Sequence, residues 1–247
     1  MAVVSTPAIV LHAFRYGDTS KIVRLATRDF GVQSAIAKGA SRAKSRFGAR
    51  LQFLSQGTAQ LYLRQTRDLQ TLAAFDISAQ RAELALDVSR YAAAAALAEL
   101  VLRLSPAERH PEIFDLLSQS LDRLAAVSST EVPAEGVAAL WSMVTALGFS
   151  PALEACARDA RPLPAGAARF SVAEGGFLCA GCGAAGEGAI LTAEDRAALL
   201  RLVAGVSTVT LSPTRLAAHR RLLVRFVRRH AAEERDLNAL DFWERGE

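Results

Sequence analysis

Three cysteines and one aspartate form two short pairs that could hold a metal ion. Cys156 and Asp159 are separated by two residues, and Cys179 and Cys182 repeat this spacing further along the chain. Two ligand pairs with two-residue spacers, about twenty residues apart, are typical of a structural zinc knuckle. Carboxylate oxygen binds zinc but is a rarer fourth ligand in closed structural sites. The alternative is three small buried cysteines that pack an irregular insert.

A second group of chemically capable residues is basic. Lys38, Arg42, Lys44 and Arg46 alternate with small residues in a segment that we call the basic arm, residues 37–47. Cations and hydroxyls on a flexible loop can follow a phosphate backbone. Further cations that could extend this surface flank the arm: Arg15, Lys21, Arg24, Arg28 and Arg50. The alternative is an ordinary solvated loop.

Aromatic side chains lie close to these cations in the sequence. They are Phe14, Tyr16, Phe30, Phe47 and Phe53. Aromatic rings beside a basic groove are typical platforms for stacked bases. The same rings could fill a protein core, and for any single one we favour the core.

The charge is distributed unevenly along the chain. The net charge is +4, but residues 1–75 contain eleven Lys and Arg against three Asp. The remaining residues are net acidic, with eighteen Arg against twenty-two Asp and Glu. This asymmetry indicates a basic module with a polyanionic partner. The average apolar and charged content argues against disorder.

The sequence predicts a soluble cytoplasmic protein. Nothing in the first seventeen residues resembles a secretory signal. The longest apolar run, residues 91–102, is shorter than the roughly 20 residues needed to span a bilayer. An odd number of cysteines suits a reducing compartment better than a disulfide framework.

Short alternating segments dominate the first part of the chain and predict five strands, at residues 8–14, 21–27, 32–38, 58–63 and 69–75. Five short strands within eighty residues favour an oligonucleotide-binding (OB) fold barrel. We therefore expect a nucleic-acid-binding domain at residues 1–79. The remainder, residues 80–247, is predicted as a second domain.

Helical periodicity replaces the alternation after residue 80. Helices are predicted from Asp87 to Arg103, from Pro106 and Ala107 to Val127, and over 131–147 before Gly148. A short helix restarting at Ser150 and Pro151 is expected to lead to Cys156, and residues 158–188 form an irregular insert. Two more helices follow, one with a capping box at Thr192 and Asp195, one from Ser212 and Pro213 to about His230. The predicted fold class is α+β multidomain: a five-stranded OB-fold β-barrel, then an all-helical domain with a zinc-knuckle-like insert at 156–188.

No catalytic motif is present in the sequence. The histidines His12, His110, His219 and His230 are scattered and match no nucleophile, metalloprotease or P-loop pattern. A zinc deaminase would need a His-x-Glu signature, which is missing. We therefore expect a protein that is not an enzyme. The rival, a zinc-dependent nucleic-acid enzyme, would have to show metal-dependent turnover on DNA.

Several segments, in order and spacing, resemble the RecO family of DNA repair proteins. In the N-terminal OB domain they are residues 8–11 (AIVL), 16–20 (YGDTS), 25–31 (LATRDFG), 38–46 (KGASRAKSR) and 51–53 (LQF). The likeness continues at 97–100 (LAEL), 147–148 (LG), 151–153 (PAL) and 175–179 (GGFLC). It covers nearly the whole chain, and its collinear order is hard to obtain by chance.

The resemblance implies a non-enzymatic, nucleoid-associated protein of recombinational repair. Such a protein would bind single- and double-stranded DNA, anneal complementary strands, and with RecR load RecA onto DNA coated by single-stranded-DNA-binding protein. Relatives that bind zinc have a cysteine where this chain has Asp159, so the site is either Cys3Asp or has lost its metal. A rival class is a transcription or chromatin regulator that reads duplex DNA with the C-terminal basic helix.

The resemblance also implies docking of the acidic, phenylalanine-ended tail of single-stranded-DNA-binding protein. The terminal carboxylate of such a tail needs a cation, and the planar fork of arginine can bind both oxygens. Arg103 and Arg123 each lie beside leucines on a predicted helix close behind the OB domain. We expect these two residues at the tail site. The alternative is that both are merely exposed arginines.

Overall fold

A computed structural model describes residues 2–64, 66–106, 108–183, 188–231 and 236–246. The chain divides into two compact units: residues 1–86 with 98–125, and residues 87–97 with 126–247. The predicted boundary at residues 79 and 80 remains a prediction. Among the described residues, none of the helices combines the length and the apolar character that a membrane span requires.

The first unit contains a closed five-stranded barrel with strand order β1-β2-β3-β5-β4. The predicted five-stranded barrel is therefore confirmed, and its strands are longer than expected. They are β1 (Ala2–Tyr16), β2 (Ser20–Thr27), β3 (Gly31–Ala37), β4 (Gln56–Leu63) and β5 (Leu69–Ala79). The barrel is mixed, because β3 pairs with β5 in parallel and the other pairs are antiparallel.

Alternation along the strands determines which side chains fill the barrel. Val23 and Leu25 on β2 are buried, and so are Ala35 and Ala37 on β3. Because successive side chains of a strand point to opposite faces, the residues between them face outward. Arg24, which lies between Val23 and Leu25 on β2, is one of these outward-facing residues. The period of two therefore fixes both the core and the outer face.

Two helices belong wholly or partly to the first unit: α1 (Val88–Leu104), from Ala98 onward, and α2 (Pro111–Ala126). A bidentate ion pair joins Arg28 of the barrel to Asp115 of α2, with N···O distances of 2.9 and 2.8 Å. The predicted start of α2 at Pro106 is wrong. The helix begins at Pro111. A proline fits the first helical position at either site, so the local sequence did not distinguish the two. Ala107 lies outside the described residues.

The second unit contains α3 (Val132–Ala146), α4 (Ala193–Val203), α5 (Pro213–His230) and α6 (Asn238–Arg245), with the first part of α1. The caps predicted for α4 and α5 are confirmed, because Thr192 Oγ1 and Ser212 Oγ accept backbone N–H groups at 3.2 and 3.4 Å. Trp141 and Phe226 pack at the centre of this unit, with ring centroids 5.2 Å apart. The short α6 was not predicted from the sequence.

The insert and the residues just after it carry a small sheet that the sequence did not reveal. Its strands are β6 (Ala168–Ser171), β7 (Gly176–Leu178) and β8 (Ala189–Leu191), in the order β7-β6-β8. They are too short to show an alternating pattern. The short helix expected from Pro151 is also wrong: bridges join Ala152 to Gly176 and Ala155 to Pro162 instead. Residues 184–187 of the insert lie outside the described residues.

Candidate nucleic-acid interface and metal site

One end of the barrel collects cations from two strands and from the residue that follows a third. Arg15 of β1 stands directly opposite Lys21 of β2, and Lys21 stands opposite Ala37, the last residue of β3. Lys38 follows at once and is exposed. Like charges directly opposite on paired strands repel each other. The barrel thus creates a positive end that an anion would stabilise.

The basic arm leaves β3 at this end and is attached to the barrel in two places. The Ser41 N–H donates to the Thr19 carbonyl at 2.8 Å, which ties the arm to the turn between β1 and β2. Further along, Phe47 is 1% exposed and belongs to the barrel core. Consecutive hydrogen-bonded turns join these two points. The segment expected to be a flexible loop is therefore a turn-rich segment anchored at both ends.

The cations of the arm point away from the barrel. Four are exposed: Lys38, Arg42, Lys44 and Arg46. None forms an ion pair with any described residue, and Arg46 packs 5.2 Å from the centre of the Phe47 ring. Of the flanking cations, Arg28 and Arg50 differ, because Arg28 pairs with Asp115 at 2.8 Å and Arg50 lies 3.5 Å from Asp76. The structure thus gathers the arm, Arg15 and Lys21 at one end and gives Arg50 an acidic neighbour.

The outer face of β1 carries exposed aromatic side chains. Phe14 is 44% exposed and Tyr16 is 53% exposed, and the rings of His12 and Phe14 are 5.6 Å apart. Arg24 stands opposite His12 in the β1–β2 register, and its Nε is buried without a hydrogen-bond partner in the described structure. His12 was not among the residues expected to bind DNA. Its place in an alternating strand, two residues before Phe14, was the available signal.

The aromatic residues near the arm therefore divide into two groups. Phe14 and Tyr16 are free to meet a ligand, whereas the core position of Phe47 contradicts a stacking role. Phe30 and Phe53 are half-buried. The sequence could not show which rings are exposed. A bulge between Val10 and His12 changes which face of β1 the later side chains occupy, and it is visible only in the pairing of β1 with β2.

The metal-ligand candidates are brought together by backbone pairing in the insert. The Ala152 N–H donates to Gly175 at 3.0 Å, and the Phe177 N–H donates to Ala152 at 2.9 Å. Any Cβ at Gly176 would lie 2.4 Å from the Ala152 oxygen, so only glycine permits this approach. The chain before Cys156 therefore runs beside β7, which leads directly to Cys179.

The four predicted ligands form one cluster. Their ligand atoms, from Cys156, Asp159, Cys179 and Cys182, all lie within 4.8 Å of one another. Asp159 Oδ2 is 3.3 Å from the Cys182 sulfur and 3.6 Å from the Cys179 sulfur. Around a tetrahedral zinc with the usual bond lengths, oxygen and sulfur ligands are about 3.5 Å apart. The cluster could hold a metal ion of this size.

The electrostatics of the cluster leave a place for a cation. Hydrogen bonding, first from the Cys156 thiol, lowers the pKa of Asp159 to about 2. The carboxylate in turn raises the pKa of Cys182 to about 12, with Cys179 and burial acting in the same direction. Binding of a divalent ion would displace the thiol proton of Cys182. Because thiolate ligands must lose their protons, metal affinity should rise with pH.

Two arginines lie at the edge of the cluster. Arg158 donates to the Cys182 carbonyl at 2.8 Å and pairs with Glu174 at 2.7 Å. The Nε of Arg161 lies 3.6 Å from Asp159 Oδ2. Three thiolates and a carboxylate around a divalent ion leave a net negative charge, which these guanidinium groups would offset.

Arg103 and Arg123 both lie in the first unit, each in the last turn of its helix. Arg103 is exposed, and Arg123 is half-buried and donates to Ser120 Oγ at 3.2 Å. Cations in a last turn interact favourably with the helix dipole. Their expected role in binding a protein tail remains a prediction.

Comparisons with known proteins agree with this architecture. Two family models match the chain: "Recombination protein O N terminal" over residues 1–81, and "Recombination protein O C terminal" over residues 85–238. A DNA repair protein RecO of Anaeromyxobacter sp. (strain K) is 34% identical over 233 residues, which cover 92% of this chain and 91% of the relative. That of Rubrobacter xylanophilus is 37% identical over 187 residues, which cover 74% of this chain and 72% of the relative.

The two family matches and the order of barrel, helices and candidate metal-ligand cluster place the chain in the class of recombination mediator proteins. Both parts of the chain match the family models in the same order. The chain belongs to the RecO family of DNA repair proteins.

Proposed function

We propose that this protein binds single- and double-stranded DNA and anneals complementary strands during recombinational repair. The observation that carries the proposal is the barrel end where Arg15, Lys21 and Lys38 meet the exposed basic arm. These cations have no acidic partner among the described residues, so their charge is available to a ligand. A polyanion is the ligand that such a surface attracts.

Annealing needs no chemical catalyst, only the neutralisation of phosphate charge. Lysine and arginine that contact phosphates release condensed counterions, and this release supplies much of the binding free energy. Mutual repulsion of the opposed Arg15 and Lys21 would be relieved when a phosphate lies between them. Lowering the charge of both strands then lets them approach each other.

Exposed rings on the outer face of β1 support binding to unpaired bases. Phe14 and Tyr16 could each stack on a base, and stacking is tolerant of sequence because every base has a π face. In a duplex the bases are already stacked, so we expect the rings to favour single strands. The arm would contact only the phosphate backbone of DNA, so it would bind single- and double-stranded DNA alike.

We also propose that Cys156, Asp159, Cys179 and Cys182 hold one structural zinc ion. The protein fills all four positions and leaves none for a reactive water, as in closed structural sites. Bound zinc would brace the segment before Cys156 against the strand that leads to Cys179. No step of DNA binding passes through the metal.

Membership of the RecO family supports partner proteins as well as DNA. We propose that the protein works with RecR to load RecA onto DNA coated by single-stranded-DNA-binding protein. Arg103 and Arg123 are our candidates for the carboxylate of that protein's acidic tail, since both end helices in the unit that contains the barrel. The competing explanation is that the two arginines only stabilise the C-terminal ends of their helices.

A strand-annealing assay tests the main proposal. Two complementary fluorescent strands are mixed with and without the protein, first bare and then coated with single-stranded-DNA-binding protein. We expect faster annealing in both cases, with no preference for sequence. A sequence-specific regulator would instead retain one preferred duplex at raised salt, and this outcome would overturn the proposal.

Titration of a labelled acidic tail peptide tests the partner site. Arg103→Ala and Arg123→Ala should each weaken binding by about tenfold, because a hydrogen bond to a charged group contributes about 1.5 to 3 kcal/mol. Arg103→Lys and Arg123→Lys are matched controls that keep the charge without the fork. Unchanged affinity in both alanine variants would place the site elsewhere.

A further inference from the structure

The lysines of this chain are all found at one end of the barrel. The sequence contains 29 Lys and Arg residues, of which only Lys21, Lys38 and Lys44 are lysines. Lys21 lies on β2 opposite Ala37, the last residue of β3, and Lys38 follows directly. Lys44 lies in the basic arm, which the Ser41 N–H ties to the turn between β1 and β2 at 2.8 Å. The barrel end proposed to bind DNA therefore holds every side-chain amine of the sequence.

This distribution has a chemical consequence, because lysine and arginine differ in reactivity. An amine that loses its proton is a nucleophile and can be acylated, and acylation removes its positive charge. A guanidinium group stays protonated in proteins and does not react in this way. Acylation of side-chain amines would therefore change the charge of the barrel end and leave the arginines elsewhere in the chain unaltered.

The three amines are accessible to a reactant. Lys38 and Lys44 are exposed, and Lys21 is half-buried. None of the three lysines forms an ion pair with any described residue, in contrast to Arg28 and Arg50 of the same unit. An ion pair holds the amine of a lysine against a carboxylate and restricts its access to other reactants. These amines are free of that restriction.

The surroundings of the amines favour an anionic acyl donor. Arg15 lies directly opposite Lys21 on the paired strands, and Arg42 and Arg46 flank Lys44 in the arm. Arginine binds phosphate oxygens through its planar fork. An acyl phosphate joins a reactive carbonyl to a phosphate group, so an arginine would hold the phosphate while the neighbouring amine attacks the carbonyl. Its phosphate would occupy the same cations as the phosphate backbone of DNA.

We propose that Lys21, Lys38 and Lys44 are acetylation sites, at which an acyl phosphate such as acetyl phosphate lowers the affinity of the barrel end for DNA. The lysine nitrogen forms a bond with the acetyl carbon, the bond from that carbon to the phosphate oxygen breaks, and inorganic phosphate leaves with the proton of the amine. Each transfer replaces a cation with a neutral amide. The inference deepens the proposed function and rests on it, because the regulated activity is DNA binding at this surface.

Acetylation of the full chain with acetyl phosphate tests this assignment. The modified residues are located by mass spectrometry, and the affinity for single-stranded DNA is measured before and after treatment. We expect acetyl groups on all three lysines. At full modification, binding should weaken by about tenfold or more, and the salt slope should fall by about 2, at roughly 0.7 per lost contact. Prior saturation with DNA should slow acetylation of the three lysines by about fivefold or more, because phosphates then occupy the cations.

The triple variant with Lys21→Arg, Lys38→Arg and Lys44→Arg is the matched control. It keeps three cations but has no side-chain amine, while its N-terminal amine can still react. Each protein is compared with itself before and after treatment, so any effect of the substitutions on DNA binding does not enter the comparison. Treatment should change the affinity of the arginine variant by less than about twofold, because no phosphate contact is lost. Equal melting temperatures before and after treatment would show that acetylation leaves the fold intact.

A change of acyl donor tests the role of the arginines. Arg15→Ala should slow the acetylation of Lys21 by acetyl phosphate by about threefold or more, because the phosphate loses a charged hydrogen-bond donor. The same variant should react normally with an uncharged N-hydroxysuccinimide ester of acetate. Equal slowing with both donors would overturn the binding of an acyl phosphate at this end of the barrel.

The outcomes distinguish this inference from the proposed function. Acetylated protein with the DNA affinity and salt slope of the untreated protein would overturn the three lysines as a regulatory site. An equal loss of affinity in the treated arginine variant would assign the effect to the N-terminal amine and also overturn the proposal. Failure of the proposed function would appear separately, as absent DNA binding and annealing by the untreated protein.

Discussion

The basic arm and the cysteine cluster both place ionisable side chains on loops, but they direct them in opposite ways. In the arm, Lys38, Arg42, Lys44 and Arg46 are exposed and form no ion pair with any described residue. In the cluster, four ligand atoms converge to within 4.8 Å. Divergent charges suit a partner larger than the loop itself, whereas convergent ligands suit a single small ion.

The two loops also differ in what fixes them. The arm is held by the buried side chains of Ala40 and Phe47 and by the backbone hydrogen bond from Ser41, and its four cations remain exposed. The cluster is held by backbone hydrogen bonds, including those between Ala152 and its partners in and beside β7. An apolar anchor fixes a loop without consuming its polar groups. Close backbone pairing fixes the ligands themselves, as a metal site requires.

Removal of the arm's charge should have the largest effect. The quadruple variant with alanine at Lys38, Arg42, Lys44 and Arg46 should bind single-stranded DNA about 100-fold or more weakly at low salt. The slope of log affinity against log salt should fall by about 3, at 0.7 to 0.9 per phosphate contact. Fluorescence anisotropy over a salt series measures both quantities.

Arg50→Ala is the matched control, because this cation lies beside Asp76. It should change the salt slope by less than any single arm substitution. A folded quadruple variant with the affinity of the unmodified protein would remove the arm from the DNA surface.

Changes in the cluster should alter metal retention without altering DNA affinity. We expect about one zinc equivalent in the purified protein and almost none in Cys156→Ser. Asp159→Cys should slow zinc loss to a chelator by about tenfold or more, because thiolate is the softer ligand. Elemental analysis and a chelator-release time course are the measurements.

Asp159→Asn serves as the control, since it keeps the shape of the side chain but removes its charge. It should release zinc faster than the unmodified protein. Metal-free protein with an undiminished melting temperature would instead support cysteines that act only in packing.

Substitution of the exposed rings tests whether the barrel surface recognises bases as well as phosphates. Phe14→Ala and Tyr16→Ala should each weaken single-strand binding by about 1 to 3 kcal/mol, with the salt slope unchanged. Tyr16→Phe keeps the stacking surface and should bind normally. A fall in the salt slope as large as that expected for the arm variant would argue against stacking.

The smallest expected effect concerns His219, a buried residue of α5. Burial lowers the pKa of His219, although the nearby Asp195 carboxylate acts in the opposite direction. Its pKa in the unfolded chain is ~6.5, so the unfolded state binds protons first as the pH falls. The contribution of His219 to stability should be present above this pH and decline below it.

Urea unfolding midpoints at pH 7.5 and 5.5 test this expectation. The midpoint of the unmodified protein should fall more on acidification than that of His219→Gln, which cannot gain the proton. An equal fall in both proteins would contradict it.

Particular residues show how far local pattern could predict the fold. Thr192 and Ser212 cap their helices as expected, because capping depends on side chains within one turn. Pro111 rather than Pro106 begins α2, since two prolines offered the same local signal. The strands β6, β7 and β8 were missed because three or four residues carry no measurable period.

The candidate sites divide in the same way. The sequence supplied all four metal-ligand candidates and the arm, because both depend on residue types at short spacing. It could not distinguish the exposed Phe14 from the buried Phe47, since strand parity and loop anchoring depend on distant partners.

By itself, the sequence determined the barrel, the helical remainder, the basic first segment and the two ligand pairs. These depend on periodicity, composition and spacing, which are local properties of a chain. Only the tertiary structure decided that Arg15 faces Lys21, that Asp159 meets two thiols, and that Lys21 and Lys38 lie at the same end of the barrel. Such pairings depend on strand register and on contacts between residues far apart in the chain, and no local pattern contains that information.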